Sequence, residues 1–164
     1  KKGVVHTGSF AIAEHLFTRL KWNHKERVFA HLGHGGESQA LTKDHLVSLL
    51  RNSSEPIIAL SPSLTTGVDV PYEIGWQVIA KVPFGDLGDP IVRARRETKL
   101  DNKPFGALNY DEEALNTVVQ AYGRAVRAPD DQGITYILDA NFWPLFKRAH
   151  SPQYFRDALK WLRK

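Results

Sequence analysis

Two guanidinium groups and one carboxamide stand at a spacing that could grip a phosphoryl group. If residues 111–127 form a helix turning about 100° per residue, Gln120, Arg124 and Arg127 fall within about 60° of one another. Leu115, Val118, Val119, Tyr122 and Val126 then share an arc about 100° wide on the opposite side, which is the face to bury. Two arginine forks on one side of a rod can hold a phosphoryl group from that side. Cations near a helix C-terminus also complement its dipole with no ligand at all. The spacing by itself leaves both readings open.

Other candidates lie where apolar runs give way to polar loops. His6-Thr7-Gly8-Ser9 follows one β-rich run, and S-P-S-L-T-T-G-V-D at 61–69 follows another. The short hydroxyls of Thr7, Ser9, Ser61, Thr65 and Thr66 suit contacts to phosphate oxygens, which carry no sequence information. They also suit ordinary loops. Gly67 permits a tight turn, and Asp69 can cap that turn with its own carboxylate. His31, His34 and Glu37 can be drawn as a metal site, but a glycine-rich loop between them offers no preorganised geometry, so no metal is expected. Asp111-Glu112-Glu113-Ala114 superficially matches a magnesium-binding acidic box; it reads better as acidic residues favoured by a helix N-terminus.

These residues need elements to position them. Strand-like runs occur at 3–7, 26–31, 56–60, 76–84 and 133–139. Helical patterns occur at 10–20, at 42–50 with Thr42 as cap, and at 111–127, with one or two short helices in the tail. Residues 85–109 read as irregular and basic. This alternation predicts an α/β fold, a doubly wound and mostly parallel sheet with helices on both faces. No repeat or linker divides it. The expectation is one domain over 1–164, with a basic excursion at about 85–109 and a basic helical tail at about 143–164. The tail aromatics Phe142, Trp143, Phe146, Tyr154, Phe155 and Trp161 are expected to form the apolar face of its helices.

Composition narrows the chemistry. The 164 residues contain no Cys, which excludes disulfides, thiolate metal sites and thiol catalysis within them. They contain no Met either, so a segment of a longer polypeptide is expected. The net charge is +4. It concentrates in Arg93, Arg95, Arg96, Lys99 and Lys103, and again in Lys147, Arg148, Arg156, Lys160, Arg163 and Lys164. Such patches suit a polyanion or simple solvation. No apolar run is long enough to span a membrane, no membrane partner is expected, and no export signal opens the chain. Cytoplasmic location is the default.

Four stretches, in order, resemble one family. Q-A-Y-G-R-A-V-R at 120–127 resembles the Q-x-x-G-R-x-x-R motif of superfamily-two helicases. S-P-S-L-T-T-G-V-D-V-P followed by W-Q-V-I-A-K-V-P-F-G-D-L-G-D-P resembles the motif that precedes it in DinG- and XPD-like members. V-V-H-T-G-S-F resembles the first strand and loop of their second motor domain, and I-T-Y-I-L-D-A-N-F its closing strand.

The resemblance implies a RecA-like C-terminal motor domain. ATP with Mg²⁺ would be held mainly by an N-terminal RecA-like domain of the same polypeptide, and no G-x-x-x-x-G-K-[ST] loop occurs in these residues. Arg124 and Arg127 would be arginine fingers, and Gln120 would orient the attacking water or hold the pair. Gly67 and Asp69 would lie beside the nucleotide. Thr7, Ser9, Ser61, Thr65 and Thr66 would grip single-stranded nucleic acid, with DNA the expected form. The domain alone would be inactive. The alternative is a non-catalytic module that keeps the motor fold and binds nucleic acid or protein.

Overall fold

Short strands joined by amphipathic helices can pair in parallel only through crossovers. The computed structural model describes residues 1–24, 26–33, 41–64, 74–125 and 132–162. In chain order its elements are β1 (Lys2–His6), α1 (Phe10–His24), β2 (Val28–Ala30), α2 (Lys43–Asn52), β3 (Ile58–Ser61) and β4 (Ile74–Ile79). Then follow α3 (Pro90–Glu97), α4 (Phe105–Tyr122), β5 (Ile134–Ile137), α5 (Phe142–Arg148) and α6 (Gln153–Ala158). The strands form one sheet in the order β2-β3-β1-β4-β5, with every neighbouring pair parallel.

Alternation along the strands sorts the core into two layers. Val4 and Ala59 point to the face where Leu46, Val47 and Leu50 of α2 pack. Val5 and Leu60, one residue on, point to the face covered by Phe17 of α1. In parallel strands, laterally paired residues share a face. Gln77 pairs with Val4, so it points to the α2 side, where it meets the last turn of α4. Connections stepping one way across the sheet therefore carry α1 on one face. Those stepping the other way carry α2 and the end of α4 on the opposite face, as a single crossover hand requires.

The chain divides into two compact units, Lys1–Lys81 with Gln120–Asp139, and Val82–Val119 with Ala140–Lys164. The first contains the sheet, α1, α2 and the end of α4. The second contains α3, most of α4, α5 and α6, and so takes in both the basic excursion and the basic tail. In the tail, Phe142 and Phe155 are buried and packed edge to face at 6.3 Å. Trp143, Tyr154 and Trp161 are exposed, and Lys147 Nζ lies 4.6 Å from the Trp143 ring centre.

Three elements differ from their sequence expectations. Residues 85–109 are not wholly irregular: Asp89 accepts from the Ile91 amide at 2.8 Å and Pro90 occupies the first turn, which starts α3. The strand expected at 76–84 ends at Ile79, before Pro83, which has no amide to donate to a ladder. The long helix starts at Phe105, not Asp111, and ends at Tyr122, not Arg127. No acidic residue therefore lies in its first turn. Asp111 instead accepts from Arg148 Nε at 2.8 Å.

Gly106 explains the early start. Its amide donates to Thr98 O at 2.9 Å, and a Cβ added there would overlap the carbonyl of Arg95. The glycine is a site of close helix approach, not a break. Helix propensity alone favours Gly106→Ala by roughly 1 kcal/mol. The packing reverses that sign: the variant should be less stable by about 1–3 kcal/mol in urea denaturation, and a stabilised variant would refute this packing account.

Candidate functional site

In open parallel sheets, ligands bind outside the carboxyl ends of strands where neighbouring connections leave to opposite faces. Here that switch point lies between β1 and β4, since α1 and the end of α4 lie on opposite faces. Gly8, just past β1, has φ +70, and a Cβ on it would lie 3.0 Å from Lys81 Cβ, just past β4. The two exits therefore run close together, and the left-handed backbone at Gly8 suits glycine.

A buried polar cluster underlies this edge. His6 and Gln77 are 2% and 0% exposed, on the adjacent central strands β1 and β4. Gln77 Oε1 lies 3.1 Å from His6 Nε2. A carboxamide oxygen can only accept, so His6 Nε2 carries the proton and donates. Gln77 Nε2 donates to Ala121 O at 2.7 Å, to Thr135 Oγ1 at 2.8 Å and to Tyr122 O at 3.3 Å. One side chain thus ties β1, the end of α4 and β5 to β4.

The same two carbonyls set the path of the chain after α4. Arg124 N donates to Ala121 O at 3.1 Å, and Ala125 N to Tyr122 O at 3.2 Å. These i to i+3 bonds tighten the backbone and end the α-helix. At its far side Gly133 lies so close that a Cβ would overlap Ala125 O. Arg124 thus sits in a turn fixed on both flanks. Its charge opposes protonation of His6, the last residue of β1, as a lesser cause behind burial.

Hydroxyls also hold the loops after β1 and β3, those after β3 bonding to one another and to His31. Thr7 is buried, and its Oγ1 donates to Ser9 O at 3.0 Å. Ser9 is part-exposed, and its Oγ accepts from the Ile12 amide at 3.3 Å, holding the start of α1. Ser61 is buried and accepts from the Ser63 amide at 3.2 Å. His31 Nδ1 lies 3.3 Å from Ser61 Oγ and 3.2 Å from Ser63 Oγ. Burial, and then the nearby charge of Lys43, hold its imidazole below the usual histidine range.

The residues singled out from sequence are distributed unevenly. Gln120 is exposed in the last turn of α4, and Arg124 lies just beyond it. The helical wheel that grouped them with Arg127 does not extend so far, because the helix stops at Tyr122. Arg127, Thr65, Thr66, Gly67 and Asp69 lie outside the described residues, as do His34 and Glu37 of the discounted metal cluster. Among the described residues no group of His, Asp or Glu could hold a metal ion. Thr7 and Ser61 stand behind Ser9 and Ser63, bonded internally. Sequence reasoning passed over Gln77, Ser63 and the structural part played by His6 and His31. The signal for Gln77 was present: a carboxamide inside the run W-Q-V-I, where the sheet needs an apolar residue.

His6 gives a measurable consequence. Burial, opposed by its bond to Gln77 and reinforced by Arg124, lowers its pKa from 6.5 to about 4. Between those values the unfolded chain binds a proton that the folded chain refuses, so stability falls as pH drops through that window. The full effect is on the order of 3 kcal/mol. Urea denaturation at stepped pH should show a steeper acid loss for the parent chain than for His6→Gln. Equal slopes would mean that another group carries it.

The family model for the helicase C-terminal domain matches residues 1–164. ATP-dependent DNA helicase YoaA of Escherichia coli is 30% identical over 103 residues, 60% of this chain and 16% of that protein. ATP-dependent DNA helicase DinG of Photobacterium profundum is 27% identical over 118 residues, 70% of this chain and 17% of that protein. The chain thus spans a small part of the length of either relative. The solved structure of S. tokodaii Xpd4 aligns with a TM-score of 0.58 at 17% identity, over 90% of this chain and 28% of that one, which speaks to the fold. Over its whole length, then, this chain belongs to the helicase C-terminal domain family, as a RecA-like domain of superfamily two related to the DinG- and XPD-like ATP-dependent DNA helicases.

Proposed function

We propose that the chain is the second motor domain of an ATP-dependent nucleic-acid helicase, bringing Arg124 and Arg127 to ATP held by a first RecA-like domain of the same polypeptide. The observation that carries this reading is the position of Arg124. It stands in a turn clamped between Gln77 and Gly133, in a chain of a helicase family. A guanidinium carried on a fixed turn needs less reorganisation to meet charge developing on a transferring phosphoryl group.

The residues present fit half of a nucleotide site. They supply cations for the γ-phosphate and no phosphate-binding loop. Mg²⁺ and the β- and γ-phosphates would be held by the first domain, with Mg²⁺ supplying charge neutralisation between them. Gln120, exposed one turn before Arg124, would orient the attacking water, and Gly67 and Asp69 would border the nucleotide. Ser9, backed by Thr7, and the 61–66 loop, with Ser61 behind it and Thr65 and Thr66 beyond, would hold the phosphates of a single strand. DNA is the preferred reading because YoaA and DinG are named DNA helicases. ATP binding would close the two domains and hydrolysis reopen them, so two grips advance along the strand in turn.

The isolated chain should release no phosphate from ATP, and robust turnover by contaminant-free protein would overturn the half-site reading. In the two-domain polypeptide, Arg124→Ala and Arg127→Ala should each lower the hydrolysis rate roughly 10³-fold or more, with melting temperature unchanged. Near-parental hydrolysis in both would favour a non-catalytic binding module.

A further inference from the structure

We infer that Gln77 is a positioning residue for Arg124, and that His6 is the group that orients Gln77. This rests on the proposed role of Arg124 in ATP hydrolysis. The assignment starts from an imbalance. A glutamine fully buried between strands gains nothing for the sheet that a residue of similar size without polar atoms would not supply. It also costs stability unless its donors and acceptor are all matched. They are matched, and two of the four partners lie at the end of α4.

The last carbonyls of a helix have no partner within it. Ala121 O and Tyr122 O are two of these. Each accepts from a backbone amide of the following turn, Arg124 N and Ala125 N respectively, and each also accepts from Gln77 Nε2. Strand β4 therefore supplies the helix cap from outside the helix. Any displacement of the carboxamide moves the two acceptors to which the Arg124 turn is bonded.

A carboxamide can sit in two orientations related by a flip, and only one works here. With the amide nitrogen toward Ala121 O, the oxygen must face a donor, and His6 Nε2–H is that donor at 3.1 Å. The flipped orientation would set the oxygen against two carbonyl oxygens. His6 thus selects the competent orientation from the central strand. The other ring nitrogen, Nδ1, is buried and has no hydrogen-bond partner among the described residues, so the bond that orients the imidazole there is the one from Nε2. Thr135 Oγ1 completes the set from β5.

The test uses the two-domain polypeptide, nucleic acid at saturation, and four proteins: parental, Gln77→Met, Arg124→Ala, and both together. Methionine keeps the volume and removes every hydrogen bond. Gln77→Met should lower kcat about 10- to 100-fold, the loss expected when a catalytic group is misplaced by about 1 Å, with KM for ATP little changed. In the Arg124→Ala background the same change should cost nothing further. A purely structural glutamine would instead lower activity equally in both backgrounds, and that result, or an unchanged kcat in Gln77→Met, overturns the inference while leaving the role of Arg124 intact. Parental hydrolysis in Arg124→Ala overturns both. If Gln77→Met fails to fold, as judged by its melting transition, His6→Phe replaces it. That variant keeps Gln77 but removes its orienting donor, and it should lower kcat only when Arg124 is present; an Arg124-independent loss or no loss overturns the inference.

Discussion

A carboxamide sealed inside a parallel sheet must satisfy two donors and an acceptor with no help from water. That requirement, at Gln77, organises the edge of this domain. It fixes the ring of His6, the hydroxyl of Thr135 and the last two carbonyls of α4 in one arrangement. The helix ends where these bonds take over its carbonyls, and the arginine of interest emerges in the turn they define.

The rest of the sheet makes that arrangement available. Strand alternation places Val4 and Val5 on opposite faces, so α2 and α1 each bury a stripe without competing for space. Gln77 lies on the face to which α4 returns, because its partner in register is Val4. A slip of one residue in β4 would turn the carboxamide to the α1 face and leave the helix end uncapped. Register in the sheet and position in the turn are therefore one constraint.

Much of this was legible from sequence. The five strand runs, the cap at Thr42 and the buried stripe of α4 are local signals. A strand forms at each run, though the one expected at 76–84 is Ile74–Ile79, Thr42 caps α2, and Leu115, Val118 and Val119 of the stripe are buried. The motif order pointed to the family that the comparisons establish. What was not legible depended on contacts between distant residues. Gly106 weakens a helix locally, yet the close approach to Arg95 O favours glycine there. The end of α4 depends on a side chain 44 residues earlier in the chain, so a wheel drawn through Arg127 had no means of stopping at Tyr122. Asp89-Pro90 was a readable helix start, passed over because the surrounding basic residues suggested irregular structure.

The clamp beneath the arginine turn is built wholly from uncharged groups: an imidazole, a carboxamide, a hydroxyl and peptide carbonyls. Dissolved ions screen exposed charges, and they leave buried dipoles almost untouched. Ionic strength therefore separates two properties of this edge. On the proposed function, added salt would weaken the pull of Arg124 on a polyanion, while the buried contacts of Gln77 beneath its turn would keep their geometry.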